Sequence, residues 1–364
     1  MSSSQSQTRV SNVNVNELGS QIGKLALRGS YEPLKRTGIL DNKSIYDFKE
    51  LTPTIGRQYN NIQIKDLLID SNSNELIKEL AIVVSERGVV FFKQQDLTIE
   101  QQTELGHRLG QLSGRPVESG LHIHPTERSS ELPDQISTID SSRRENYSKN
   151  KHYMSAFASK GWHTDITFEK VPSDFAMLKV HTLPETGGDT LWASAYELYD
   201  RLSPSFARFL EGLTATHDGN AFHAVAAAEG VKAFDGVRGH PLNVGSDFTA
   251  IHPVIRTNPI TGWKGVFVNG VFTKRINELS KDESDLVLNY LTKLVSQNHD
   301  LQVRHRWSKN DLAIWTNVST LHSATFDYGR EKRVGDRVVS LGERPYFDPA
   351  SKSRREALGQ KVIV

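Results

Sequence analysis

Residues 161–194 read GWHTDITFEKVPSDFAMLKVHTLPETGGDTLWAS, and two of the runs inside this stretch decide the fold. FAMLKVHTL (175–183) and TLWAS (190–194) have strand length and strand composition, and a glycine turn, GGDTL (187–191), feeds the second. Just upstream lies His163-Thr164-Asp165. If that tripeptide is extended, positions i and i+2 share a face and both side chains reach one ion. With 13 His and 43 Asp+Glu in 364 residues, about one or two His-x-carboxylate matches arise by chance, so the motif needs partners elsewhere in the chain.

Working outward, strand-like runs recur at QISTI (135–139), TAIHPVIRT (249–257), KGVFVN (264–269), LQVRHRW (301–307), LAIWT (312–316) and RVVSLG (337–342). Many short strands separated by turn signals predict a sandwich or barrel. Helices precede and interrupt them. Leu76, Leu80, Val83 and Val84 repeat at helical spacing, Gly88 closes that helix, and VVFF (89–92) follows as a buried strand. Thr98 with Gln101 and Ser280 with Glu283 form capping boxes, and Pro204 sits in the first turn of another helix. The pattern predicts a mainly β domain with flanking and inserted helices: a jelly roll, the cupin-like double-stranded β-helix. It is expected over residues 46–350, after an extension at 1–45 that is partly disordered and before a tail at 351–364.

Composition narrows the chemistry. Lys+Arg 44 against Asp+Glu 43 leaves a net charge of +1, which offers no global field for nucleic acid or an anionic membrane, so an anionic ligand must meet local arginines. The absence of cysteine excludes disulfides, thiolate nucleophiles and zinc sites built on thiolates, leaving nitrogen and oxygen to hold any metal. The start MSSSQSQTRVSNVNVN has no apolar signal core and no apolar run approaches membrane-spanning length. The expectation is a cytoplasmic protein.

His163 alone among the histidines begins a His-x-carboxylate. His322, after the LAIWT strand, is the attractive third ligand. Two imidazoles and a carboxylate leave three positions open on an octahedral metal, the arrangement of non-haem Fe(II) oxygenases. LHIHP (121–125) offers a second candidate, a His122/His124 metal pair, but no carboxylate partner is obvious and His124 is preferred as a substrate contact. GGDTL lacks the lysine and following helix of a phosphate loop, leaving Thr190 free to hydrogen-bond. In GREKRVGDR (329–337), Arg333 and Arg337 would share a strand face about 13 Å apart and bind two different anions.

Taken together, LHIHP, the 162–194 segment, HPVIRTNPITGWKGVFVN and IWTNVSTLHSATFDYGREKRVGDRVVSLGERPYF resemble the taurine dioxygenase family of Fe(II)/2-oxoglutarate-dependent oxygenases. Within that family the chain is most similar to the fungal sulfonate dioxygenases, over about residues 47–350. The resemblance implies Fe(II), with 2-oxoglutarate and O2 as co-substrates. It implies that His163, Asp165 and His322 bind the iron, that Arg333 and Thr190 hold the distal carboxylate of 2-oxoglutarate, and that Arg337 and His124 hold a substrate sulfonate. Trp315 corresponds to an aromatic residue near the iron.

The activity so implied is hydroxylation of a small organosulfonate next to sulfur, with release of sulfite and an aldehyde alongside succinate and CO2. A protonated His124 would favour the anionic head group. Ile166, Glu127 and Ser159 fall in the substrate region, and two of them depart from the taurine pattern. Glu127 stands where the bacterial taurine enzymes have Tyr, and Ser159 where they have Asn; the segment 219–234, expected to flank the pocket, also differs. An alkyl sulfate ester, an aryloxy-carboxylate or an amino acid derivative is therefore the alternative substrate, and a non-enzymatic jelly-roll binding module the alternative class. No nucleic-acid or membrane partner is expected. The resemblance further implies a homo-oligomer, dimer or tetramer. Between about 125 and 160 the stretch SSRRENYSKNKHY is polar and lacks periodicity, which predicts a loop that either orders on substrate or stays a mobile surface loop.

Overall fold

Strands that are apolar at every position belong in sheets covered on both faces, and VVFF is the clearest case here. The computed structural model describes residues 32–127, 131–144 and 158–360. Among them the strands are β1 (Phe48–Glu50), β2 (Arg57–Tyr59), β3 (Val89–Phe92), β4 (Ile136–Asp140), β5 (Ser173–Thr182), β6 (Thr190–Ser194), β7 (Thr214–Asp218) and β8 (Thr249–Pro253). They continue with β9 (Ile255–Thr257), β10 (Lys264–Val266), β11 (Thr273–Ile276), β12 (Gln302–His305), β13 (Asp311–Thr316), β14 (Thr320–Ala324) and β15 (Val334–Leu341). The major sheet runs β1-β2-β3-β13-β5-β15-β4, and β12-β6-β14 form the sheet that faces it. All pairings in both are antiparallel except β2 with β3. This is the expected double-stranded β-helix.

Strand alternation sorts the major sheet's side chains into two cores. Val89 and Phe91 of β3, Ala176 and Leu178 of β5, and Ala313 and Trp315 of β13 point between the sheets, where they meet Trp192 of β6 and Val303 of β12. Their neighbours Val90, Phe92, Phe175, Met177, Leu312 and Ile314 point the other way. There they pack on helix α1 (Ile64–Ile69), α2 (Ser73–Arg87) and α3 (Ile99–Leu112). The Thr98/Gln101 capping box starts α3 as expected. A third core lies behind the minor sheet. It holds Leu198 of α4 (Ala195–Asp200) and Leu210 of α5 (Pro204–Leu210), together with Leu291 and Val295 of the later helix Lys281–Gln297.

Three expectations change. The run 249–257 is broken at Val254 into β8, which pairs with β7, and β9, which pairs with β10; only 264–266 of the next run is strand. The packed domain begins before residue 46. Leu40 is fully buried in the helix-side core, and Arg36 pairs with Glu79 of α2 at 3.2 Å. The compact unit accordingly starts at Pro33. At the other end, Arg354 and Arg355 of the short helix Arg354–Ala357 both bond Glu197 of α4, so residues 353–355 anchor the start of the expected tail to the domain, while 356–360 are exposed. Residues 1–31 of the expected extension, and 128–130 and 145–157 of the expected 125–160 loop, lie outside the described residues. No described helix is long and apolar enough to cross a membrane.

Candidate active site

The site begins at β14. Its register sets His322 opposite Trp192 of β6, and a single antiparallel bridge ties His322 to His163, with His163 N to His322 O 3.0 Å and the reciprocal bond 2.7 Å. His163 Nδ1 donates to the Gly161 carbonyl at 2.9 Å, which leaves Nε2 as a lone-pair donor facing inward. Only His163 of the tripeptide pairs as strand, in a one-residue bridge, yet Asp165 two residues on brings its carboxylate to the same place as the His163 ring; the chain then turns, with Ile166 at a left-handed φ of 48°.

Asp165 Oδ1 lies 3.8 Å from His163 Nε2 and 3.7 Å from His322 Nε2. These three are the group, among the described residues, whose ligand atoms fall within 4.8 Å of one another. Two imidazole nitrogens and one carboxylate oxygen with no thiolate fit a divalent iron that keeps open positions.

Asn317, which sequence reasoning passed over, fixes that carboxylate. It is fully buried, accepts from Asp165 N (3.2 Å) and Trp315 Nε1 (3.1 Å), and donates to Asp165 Oδ2 (3.4 Å) and Ser173 Oγ (2.9 Å). The WTN run was the available signal, but nothing in it says which way the amide points. The Trp315 ring lies 5.2 Å from that of His322, tilted by 57°, beside the candidate metal site.

Burial by itself would raise the Asp165 pKa. The Arg337 guanidinium above all, then His322, His163 and the Asn317 bond, outweigh it and hold the group well below the usual carboxylate range. His322 is pulled down to about 3 by burial and by the neighbouring His163, against the opposing pull of Asp165. Asp165 therefore presents an anionic oxygen and His322 a neutral imidazole at neutral pH, the protonation states a cation requires.

A second corner forms at the start of β15. Arg333 precedes the strand, and a register shift falls between Val334 and Gly335, so Arg333 and Arg337 do not share a regular strand face. The two arginines nevertheless serve separate corners. Arg333 Nε donates to Gly188 O at 2.8 Å, Nη2 reaches Thr190 Oγ1 at 3.4 Å, and the guanidinium lies over Trp307 at 5.6 Å. Trp307 Nε1 also donates to Thr190 Oγ1, at 3.1 Å. Trp307, unassigned from sequence, thus forms the floor of this corner. Gly188 has φ +72°, and a Cβ there would stand 2.9 Å from Arg333 Cδ. The glycine turn is what lets the arginine lie flat.

The third corner joins Arg337, His124 and Glu127. Arg337 Nη1 donates to Asp165 Oδ1 at 3.0 Å and Nη2 to Glu127 Oε2 at 2.7 Å, while burial lowers and the two carboxylates more strongly raise its pKa. His124 Nδ1 accepts from the backbone of Thr126 (3.2 Å) and Glu127 (3.0 Å), so its proton sits on Nε2. Burial, against Glu127's attraction, pulls its pKa to about 4. In this structure the ring is therefore a neutral donor.

His122 is not its metal partner. The ring turns to Glu169 at 3.0 Å, and Arg238 clamps the same carboxylate through Nε and Nη2. Phe222, in the helix Ala221–Ala228 within the expected flanking segment, meets the His124 ring edge-on at 4.9 Å. Ile166 is buried beside Asp165, and Ser159 sits half-buried in the turn Ala158–Gly161 leading to His163.

A His/Asp/His cluster with the donor set of a metal site in a double-stranded β-helix, with an arginine corner beside it, is the arrangement expected of an Fe(II)- and 2-oxoglutarate-dependent dioxygenase. The sequence matches the family described as "Taurine catabolism dioxygenase TauD, TfdA family" over residues 47–339, and the chain belongs to that family. The α-ketoglutarate-dependent dioxygenase oryG of Aspergillus oryzae is 42% identical over 90% of this chain and 96% of its own length. A putative α-ketoglutarate-dependent sulfonate dioxygenase of Schizosaccharomyces pombe is 33% identical over 87% of this chain and 74% of its own. Among solved structures, a putative α-ketoglutarate-dependent taurine dioxygenase from Burkholderia xenovorans shares the fold. Its TM-score is 0.65 at 23% identity, covering 84% of this chain and 96% of that one. The chain is thus an oxidoreductase that uses Fe(II), 2-oxoglutarate and O2.

Proposed function

We propose that the enzyme hydroxylates a small organosulfonate at the carbon bearing sulfur. Iron and 2-oxoglutarate, when bound, supply the oxidation of that C–H bond by O2, with 2-oxoglutarate leaving as succinate and CO2. One oxygen atom enters succinate and the other the substrate, and the hydroxylated carbon then loses sulfite and a proton to become an aldehyde. In this reading His163, Asp165 and His322 hold the iron, and Arg333 with Thr190 takes the far carboxylate of 2-oxoglutarate. A guanidinium fork suits a carboxylate better than a point charge would, and the Trp307 ring lies against it.

Arg337 and the His124 Nε2–H take the head group. The observation that carries the reading is their convergence on one point beside Asp165, with Arg337 touching both the metal-binding carboxylate and the corner. A head group fixed there leaves its adjacent carbon next to the metal site, and position is what selects the bond oxidised.

A carboxylate-bearing substrate is the second reading. Its support is that the seat already accommodates a carboxylate, that of Glu127. Both readings keep the small anionic substrate and the 2-oxoglutarate chemistry. Incubation with Fe(II), 2-oxoglutarate and a panel of alkanesulfonates, alkyl sulfates and aryloxy-carboxylates separates them. Sulfite release with stoichiometric succinate supports the first, and succinate coupled only to carboxylate substrates overturns it.

A further inference from the structure

The head-group corner is already filled from within. Glu127 Oε2 is 2.7 Å from Arg337 Nη2 and 3.8 Å from His124 Nε2, the two donors assigned to the substrate. The same residue's backbone N–H bonds His124 Nδ1 at 3.0 Å and so forces the imidazole proton onto Nε2, facing its own carboxylate. Glu127 therefore both tunes and occupies the seat. Its side chain is 31% exposed, against 11% for Arg337, so it sits on the solvent side of the arginine.

We infer that Glu127 is the specificity-determining residue of this site: its carboxylate stands in for the substrate anion on Arg337 and His124, and an incoming anion must displace it. The inference rests on the head-group assignment above and deepens it. Arg337 faces two carboxylates, Asp165 on one amino group and Glu127 on the other. An anion added without displacement would put a third negative group against one guanidinium, and like charges at contact distance repel. A simple sulfonate that offers nothing to the released Glu127 carboxylate thus binds at a penalty. A substrate that also carries a hydrogen-bond donor or a cationic group within reach of Glu127 recovers part of it. Glu127 then discriminates by what the rest of the molecule presents, which Arg337 by itself cannot do.

The test is calorimetric titration of ethanesulfonate into full-length protein loaded anaerobically with Fe(II) and 2-oxoglutarate, alongside sulfite release in air. Glu127→Gln, which keeps the shape and removes the charge, should bind ethanesulfonate at least tenfold more tightly than the parent, a change of about 1.4 kcal/mol. Glu127→Asp should remain within a few-fold of the parent, and Glu127→Gln combined with Arg337→Ala should lose the gain. Equal thermal melts of the single variants control for folding. If Glu127→Gln and the parent bind alike while the parent releases sulfite, the inference is overturned and the sulfonate reading stands. If the variant gains affinity while neither protein releases sulfite from any sulfonate, the inference is supported and the sulfonate reading fails. If neither protein binds, both are overturned.

Discussion

Replacing Asn317 with alanine strips one fully buried amide from beneath the Asp165 carboxylate, the oxygen donor of the proposed iron site. The amide makes four bonds: it accepts from Asp165 N and Trp315 Nε1, and donates to Asp165 Oδ2 and Ser173 Oγ. Alanine leaves the indole N–H, the Asp165 backbone N–H and Asp165 Oδ2 short of a partner in a region without solvent, while the Ser173 hydroxyl keeps its bond to Phe175 O. At about 1 kcal/mol each, the low end for an orphaned buried group, the loss is about 3 kcal/mol. In a domain of this size that lowers the melting temperature by about 5 °C.

The effect on iron follows from the same contacts. Without Asn317, Asp165 Oδ2 loses the donor that orients it, and the loss of such an outer partner typically costs about 10–100-fold in metal affinity. Asn317→Ala should therefore show both the lower melt and a 10–100-fold weaker anaerobic Fe(II) titration. Asn317→Asp keeps the acceptor oxygen but sets a carboxylate against Asp165, and should weaken iron binding through charge while retaining the Trp315 bond. If Asn317→Ala bound Fe(II) within twofold of the parent, Asp165 would be positioned by something other than this amide, and the reasoning would fail.

Arg333→Ala removes the guanidinium above Trp307. The KM for 2-oxoglutarate should rise about 100-fold, the loss of a charge-assisted pair of about 2–3 kcal/mol; an unchanged KM would displace the co-substrate from this corner. Leu40→Ala opens a cavity in the helix-side core and should cost about 2–5 kcal/mol in a denaturant melt; a neutral result would return residues 33–45 to the extension. Burial holds His124 at about 4 and, with the Arg256 charge, His252 at about 3, against 6.5 for a free imidazole. Both folded values are depressed, so the unfolded chain binds more protons in the window from 6.5 down to about 4. Stability is full above pH 6.5 and falls as the pH drops, by about 1.4 kcal/mol per pH unit for each histidine. A melting temperature constant from pH 7.5 to 5 would contradict this. By the same protonation argument, substrate affinity should show no His124 titration between pH 6 and 8.

Most of the architecture was legible in the chain because it is written in local patterns. VVFF and FAMLKVHTL are apolar on both faces, and a strand apolar on both faces must lie in a covered sheet. The capping boxes at Thr98 and Ser280 fixed helix starts through side-chain bonds only three residues long. The identities of His163, Asp165, His322 and Arg333 were readable for a different reason: their order and chemistry resemble a known family, and the matching residues then came together in space.

What the chain could not state was direction. His163 meets the third ligand, His322, through a one-residue bridge between segments distant in the chain, and no periodicity states which segments pair. Whether Arg337 faces a substrate or Glu127 depends on a contact across 210 residues, and the neutral state of His124 depends on burial and two backbone N–H groups. Composition and spacing choose which groups exist. Only the tertiary structure decides which of them point at the same few ångströms, because long-range packing, not local propensity, sets those vectors.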